Sequence, residues 1–361
     1  MEEQALFRAD GSIRGHSTSG HRKLLKLGVA VGGLLIALSG PSLGLVYLLI
    51  GLAGQLQKDS DITPVVVVSI ALAVLSLLLG GALAWQGFAA LHGRPSSPFH
   101  PPSGCILIPL FLLASLMGQT VLSLNLLPPL TLPPFHLLST ALPVLIVLSL
   151  VGRRLAGAGV RWREVILQMG SGAFLSPVIS LVIEGMAGAM IAVTAFTAIA
   201  VLPGGPEWLQ NFVTNLQDPA WTADPDNIRQ LILAPPVLIT LLMIFIVVAP
   251  LVEEAVKPLG VVLMGYRRPT RPQAFLWGVA AGAGFAIAEG LFNSTVSLEA
   301  WGLVVALRVG ASAMHCLTSG LTALGLWSLD QTRRPWLLLG LYGLGAVSYT
   351  HLRAHETRHD L

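Results

Sequence analysis

Residues 237–265 read VLITLLMIFIVVAPLVEEAVKPLGVVLMG, an apolar run carrying Glu253, Glu254 and Lys257 at its centre. A bilayer-spanning helix needs about 20 apolar residues, and this run exceeds that. Three ionisable side chains in such a helix are expensive, so they are read first as a functional site. Pro250 and Pro258 bracket them. Proline removes a backbone donor and crowds the preceding turn, so the helix is expected to break around its acidic pair. A spanning helix broken there lines a cavity, because freed backbone groups need partners.

The rest of the chain fits a membrane scaffold. It has 361 residues, 54% hydrophobic and 11% charged, where a soluble domain carries roughly 25% charged residues. Apolar runs fall at about 27–54, 62–91, 105–127, 136–152, 170–202, 237–265, 276–297 and 300–328, with a ninth from Trp336. The expected fold is an all-α, polytopic integral membrane protein of about 8–9 transmembrane helices. No cleavable signal peptide is evident: the first 20 residues are polar, and the first apolar run is too long for one. Cys105 and Cys316 both lie in apolar runs and form neither a disulfide framework nor a metal motif. The formal charge of +3 says little; nothing points to nucleic acid, and the expected surroundings are the lipid bilayer and a membrane-anchored protein partner.

Lysine and arginine collect on one side of the membrane. With the N-terminus cytoplasmic, segments 1–26, 92–104, 153–169, 266–275 and 329–335 hold nearly all of them, while the opposite side has Lys58 and Arg229. Residues 1–26 read as a basic cytoplasmic leader, 27–135 as an N-terminal membrane region of about three spans, and 136–350 as the functional membrane domain. Loop 203–236 is long enough for a short amphipathic helix at the interface. The proline-rich stretches 94–102 and 128–134 read as tight connections.

The ionisable residues inside apolar runs are Glu184, Glu253, Glu254, Lys257, Glu289, Arg308 and His315, and six of the seven fall between 253 and 315. Lys257 is three and four residues from the two glutamates, within reach of either on a helix. Phe285, Glu289 and Asn293 share one helix face, and Arg308, Ser312 and His315 share another. Gly278, Gly282 and Gly284 precede Glu289 and permit close helix approach. His315 reads as the only histidine deep in a span. Glutamates with a histidine can activate a water directly or through a metal. Any one of these residues could instead serve a structural ion pair, and the same set could form the relay of a proton- or ion-coupled transporter. Glu184 reads as a structural or cavity-lining carboxylate. A Gly-x-Ser-Gly serine motif is missing, and no aspartate lies deep in a span. His355-Glu356-Thr357-Arg358-His359 matches H-E-x-x-H, a zinc motif when it sits on a supported helix. Here it lies in a polar tail, 348–361, whose composition departs abruptly from the preceding span, and that tail reads as non-native.

The motif order resembles the PrsW family of intramembrane proteases, which are related to the CAAX prenyl endopeptidases. The resemblance rests on Glu253-Glu254-Ala255-Val256-Lys257, on Phe285-Ala286-Ile287-Ala288-Glu289, and on Arg308 followed by His315. It covers about residues 136–350. It implies catalytic Glu253, Glu254, Glu289 and His315, supported by Lys257, Arg308, Asn293 and His351. It further implies regulated cleavage of a membrane-anchored protein, for instance an anti-sigma factor, in a bacterial cell membrane; a CAAX-type specificity is the alternative within the same scaffold. Two positions depart from the family pattern. Gly290 stands where the family often has asparagine, and His351 is followed by Leu-Arg-Ala-His where the family has a short Gly/aromatic/Asn-or-Asp stretch. The cofactor stays open between none and a divalent metal such as zinc. Zinc usually takes His or Cys beside carboxylates, and this set is carboxylate-rich.

Overall fold

The computed structural model describes residues 19–55, 61–264, 268–295 and 297–359, with side chains from 23 to 347 apart from those around the gaps. The first part of the basic leader, Lys58 and Arg267 lie outside the described residues. Among those described, all regular elements are helical. Eight helical stretches are long and apolar enough to cross a membrane, and a shorter apolar helix, Pro335–Val347, follows them.

The chain opens with α1 (Ser19–Gln55) and α2 (Thr63–Leu91), an antiparallel pair. Small residues let them touch: a side chain at Gly33 would collide with the backbone of α2 at Gly80, Leu83 and Ala84, and one at Gly40 would meet Ser76. Then come α3 (Gly104–Ser123) and α4 (Pro128–Arg154). The stretch 128–134, expected as a connection, is the start of α4, so this span begins at Pro128 and not near 136. Pro128 and Pro129 occupy the first turn, where an amide has no intrahelical partner to lose. This correction carries another. His136 lies two turns inside α4 and is fully buried, so His315 is not the only histidine deep in a span.

Helices α5 (Trp162–Gly170) and α6 (Ser176–Ala200) join through a π-helical turn at Ser171–Leu175 and make one span. The segment expected as a cytoplasmic loop, 153–169, is thereby shortened, because Trp162 already begins the helix. Residues 203–236, read as either an ordered loop or one carrying a short amphipathic helix, hold α7 (Gly205–Gln217), α8 (Pro219–Thr222) and α9 (Pro225–Leu233). Asp218 and Asp224 start the last two by accepting from the Ala220 and Asp226 amides.

The sixth span is built in pieces: α10 (Pro235–Leu242), a π-helical run Met243–Val248, α11 (Ala249–Val256) and α12 (Leu259–Leu263). The break between α11 and α12 falls at Lys257-Pro258, as the proline requires. The Ser176 hydroxyl at the start of α6 donates to the freed Val256 carbonyl at 3.1 Å. Helix α13 (Arg271–Asn293) is the centre of the molecule and is buried along most of its length. Its alanine and glycine content permits this. Gly278 and Gly282 lie against the α14 backbone at Ser319 and His315, and Gly284 lies against the Met169 carbonyl of α5. Helices α14 (Trp301–Thr332) and α15 (Pro335–His359) complete the bundle.

Candidate active site

Three spans converge on Lys257. Its ammonium is fully buried at the α11–α12 break. It donates to Glu254 Oε1 at 2.6 Å and to His315 Nδ1 at 2.7 Å, and lies 3.6 Å from Glu253 Oε2. It also sits 4.5 Å from the centre of the Phe285 ring, a favourable face for a cation. An ammonium can only donate, so His315 Nδ1 is the acceptor and the imidazole proton is on Nε2. That nitrogen stands 2.7 Å from Glu289 Oε2. Glu289 in turn pairs with Arg308 at 3.1 Å and accepts from Asn293 Nδ2 at 2.9 Å.

The result is one buried chain of charges: Glu254, Lys257, His315, Glu289, Arg308. It draws on α11, α13 and α14, with Glu253 beside Lys257 and Asn293 beside Glu289. Three carboxylates, Glu253, Glu254 and Glu289, face two basic side chains, Lys257 and Arg308. Glu254 is entirely buried, and its Oε2 has no hydrogen-bond partner among the described residues. Such an oxygen is costly unless something visits it.

Of the expected α14 face, Arg308 and His315 reach the cluster, while Ser312 lines a small cavity beside Arg308. Phe285, Glu289 and Asn293 all point to the cluster, and Arg308 and His315 both reach Glu289 from α14. Glu184 lies in α6, partly buried, between Ser176 at the Val256 carbonyl and Gly188 against Ile244. It therefore flanks the sixth span near the acidic pair. Cys316 is buried in the hydrophobic core. His351 lies on α15, but its side chain, like those of the 355–359 motif, is outside the described residues.

His136 was not anticipated. It is a hinge pin: His136 Nε2 bonds the Leu291 carbonyl at 2.9 Å, and Trp301 Nε1 donates to its Nδ1 at 3.1 Å. The Leu291 carbonyl belongs to the last turn of α13, where helical partners run out. One imidazole thus ties the end of α13 to α4 and to the start of α14, two residues beyond Glu289.

Glu254 and His315 converge on one point, and Lys257 Nζ occupies it within hydrogen-bond distance of both. Among the described residues no three His, Cys, Asp or Glu side chains come together as a metal cage.

The model of one family, described as the PrsW family intramembrane metalloprotease, matches residues 160–351. The match takes in every residue of the buried chain. Comparison with curated proteins and with solved structures returns no match.

Proposed function

The chain belongs to the PrsW family of intramembrane metalloproteases, and from that premise we propose that it is an endopeptidase whose water is activated by Glu254 and His315 without a metal. The observation that carries this is the buried Glu254 Oε2, which has no partner among the described residues while Oε1 is held by Lys257. Glu254 is oriented by one oxygen and available at the other, the disposition a general base needs.

In this reading, water gives a proton to Glu254 Oε2 as its oxygen bonds to the scissile carbonyl carbon. The carbonyl oxygen takes the negative charge and is stabilised by the field of Lys257. Collapse then breaks the C–N bond, and the proton on Glu254 passes to the leaving amine, which restores the carboxylate. Glu289, held by Arg308 and Asn293, accepts a hydrogen bond from the His315 Nε2 proton and so keeps the ring with Nδ1 against Lys257. Glu253 shares the Lys257 charge and keeps the ammonium at the break.

His315 sits near the midpoint of α14, so the substrate is a protein whose scissile bond enters the membrane. A membrane-anchored regulatory protein, such as an anti-sigma factor in a bacterial cell membrane, fits that geometry and the family. The test uses full-length protein in liposomes with candidate membrane-anchored substrates, wild type against Glu254→Ala, with and without chelator. Cleavage lost in the variant and indifferent to chelator is the expected result. Cleavage that persists in Glu254→Ala removes Glu254 as base. Cleavage abolished by chelator and restored by a divalent ion overturns the metal-free mechanism.

A further inference from the structure

On the far side of the Glu289–Arg308 pair, between α4, α13 and α14, lies a small cavity of about 10 Å³, close to the minimum that holds one water. Its polar walls are Ser139, Thr140, Ser294, Arg308 and Ser312, and its floor is Gly290. Two of the groups beside it lack partners among the described residues: Arg308 Nε, and the hydroxyl of the fully buried Ser294. The Thr140 hydroxyl is already committed to the His136 and Leu137 carbonyls. A dry cavity would leave a guanidinium N–H and a hydroxyl unsatisfied inside a membrane protein, which costs stability. Apolar cavities stay dry, whereas polar ones with several hydrogen-bonding walls fill.

We propose that this cavity binds one ordered water, and that the water, held by Arg308 Nε and Ser294, fixes the guanidinium against Glu289. Arg308 and Ser294 are then positioning residues. The water anchors Arg308, Arg308 aims Glu289, and Glu289 holds the His315 ring. The room exists because residue 290 has no side chain. A Cβ at Gly290 would stand 3.3 Å from Thr140 Cγ2 and 3.8 Å from Arg308 Nε, in the space the water needs. The positioning role rests on the catalytic reading above; the water itself does not.

The experiment pairs Gly290→Ala with Gly290→Ser in the full-length protein. Alanine takes the space and offers no hydrogen bond, while serine brings its own hydroxyl to the same place. If the site needs a polar occupant, kcat falls about 10-fold in Gly290→Ala with KM unchanged, the loss of one charge-assisted hydrogen bond, and Gly290→Ser returns to near wild type. Bulk alone would make serine at least as damaging as alanine, and that result overturns the proposal, as does wild-type activity in both. Radiolytic hydroxyl labelling reads the water without reference to cleavage. The wild type is expected to be labelled at the cavity walls Pro143 and Val305, and Gly290→Ala is not. An unlabelled wild type overturns the water. Cleavage that persists in Glu254→Gln overturns the catalytic reading and the positioning role with it, and leaves the labelling result standing.

Discussion

Lys257 holds two glutamates and a histidine at once, with no water-exposed surface of its own. Replacing it by methionine keeps the volume and removes the charge, leaving two carboxylates buried side by side. Breaking a buried pair from one side costs about 3–5 kcal/mol. Lys257→Met is therefore expected to lower the thermal midpoint in detergent and to abolish cleavage. A variant as stable as wild type would show that the ammonium is not the hub of the cluster. His136 makes a different demand, since its two bonds are structural. His136→Phe leaves the Trp301 indole N–H and the Leu291 carbonyl unmet, at roughly 1–3 kcal/mol each. The expected outcome is a clear loss of stability with cleavage reduced only in proportion to the folded fraction; a stable but inactive protein would move His136 into the chemistry. The two residues also differ in how legible they were. Charged groups in apolar runs are rare enough to mark themselves, and Glu253, Glu254, Lys257, Glu289, Arg308 and His315 did so. His136 escaped because the prolines before it read as a loop, which put it at a span's edge when it lies two turns inside.

Helix α13 brings the cluster together because its glycines let α14 and α5 approach backbone to backbone. At Gly282 an added Cβ would collide with the His315 carbonyl, the backbone of a residue in the cluster itself. Gly282→Ala is expected to push α14 away and to misplace the His315 ring, with a loss of about 10²-fold in kcat/KM for a displacement near 1 Å. Gly81, on α2, has open space around it. Gly81→Ala should leave cleavage unchanged and add about 0.5–1 kcal/mol of stability. Equal behaviour of the two alanines in a thermal-shift and cleavage comparison would refute the close-approach argument. The break at Pro258 was visible in the sequence because proline allows no alternative there. The π-helical turns at Ser171–Leu175 and Met243–Val248 were not. The first lies against α13, where Gly172 meets the Ala281 carbonyl, and no local residue pattern announces either turn.

At the scale of the molecule, the described arginines other than Arg308 and Arg229 sort to one end of the bundle. Arg94, Arg153, Arg154, Arg161, Arg163, Arg268, Arg271, Arg333 and Arg334 lie in or beside the connections on one side, and Arg229 lies among α7–α9 on the other. Three of them also build structure: Arg153 donates to the Pro101 carbonyl, Arg161 to the Ser96 carbonyl, and Arg163 to the Arg94 carbonyl and Gln86 Oε1, which ties the α2–α3 connection to the end of α4 and the start of α5. Eight spans return the chain to the side it started from, and if the arginine-rich connections are cytoplasmic, both ends of the eight-span stretch are cytoplasmic too. The span count was legible because hydropathy sees twenty-residue runs. The packing order was less so, since small residues and not hydropathy decide which helices touch. The orientation makes a direct demand on two exposed sites, Ser97 in the α2–α3 connection and Asn211 in α7. Cys316 is buried and can stay, while the exposed Cys105 is first changed to alanine. In that background, a membrane-impermeant thiol reagent applied to intact cells should label Asn211→Cys and spare Ser97→Cys until the membrane is opened. The reverse pattern would place the arginine-rich end outside. It would also turn the face carrying α7–α9 toward the cytoplasm, so that the substrate's anchored end would have to approach from the opposite side.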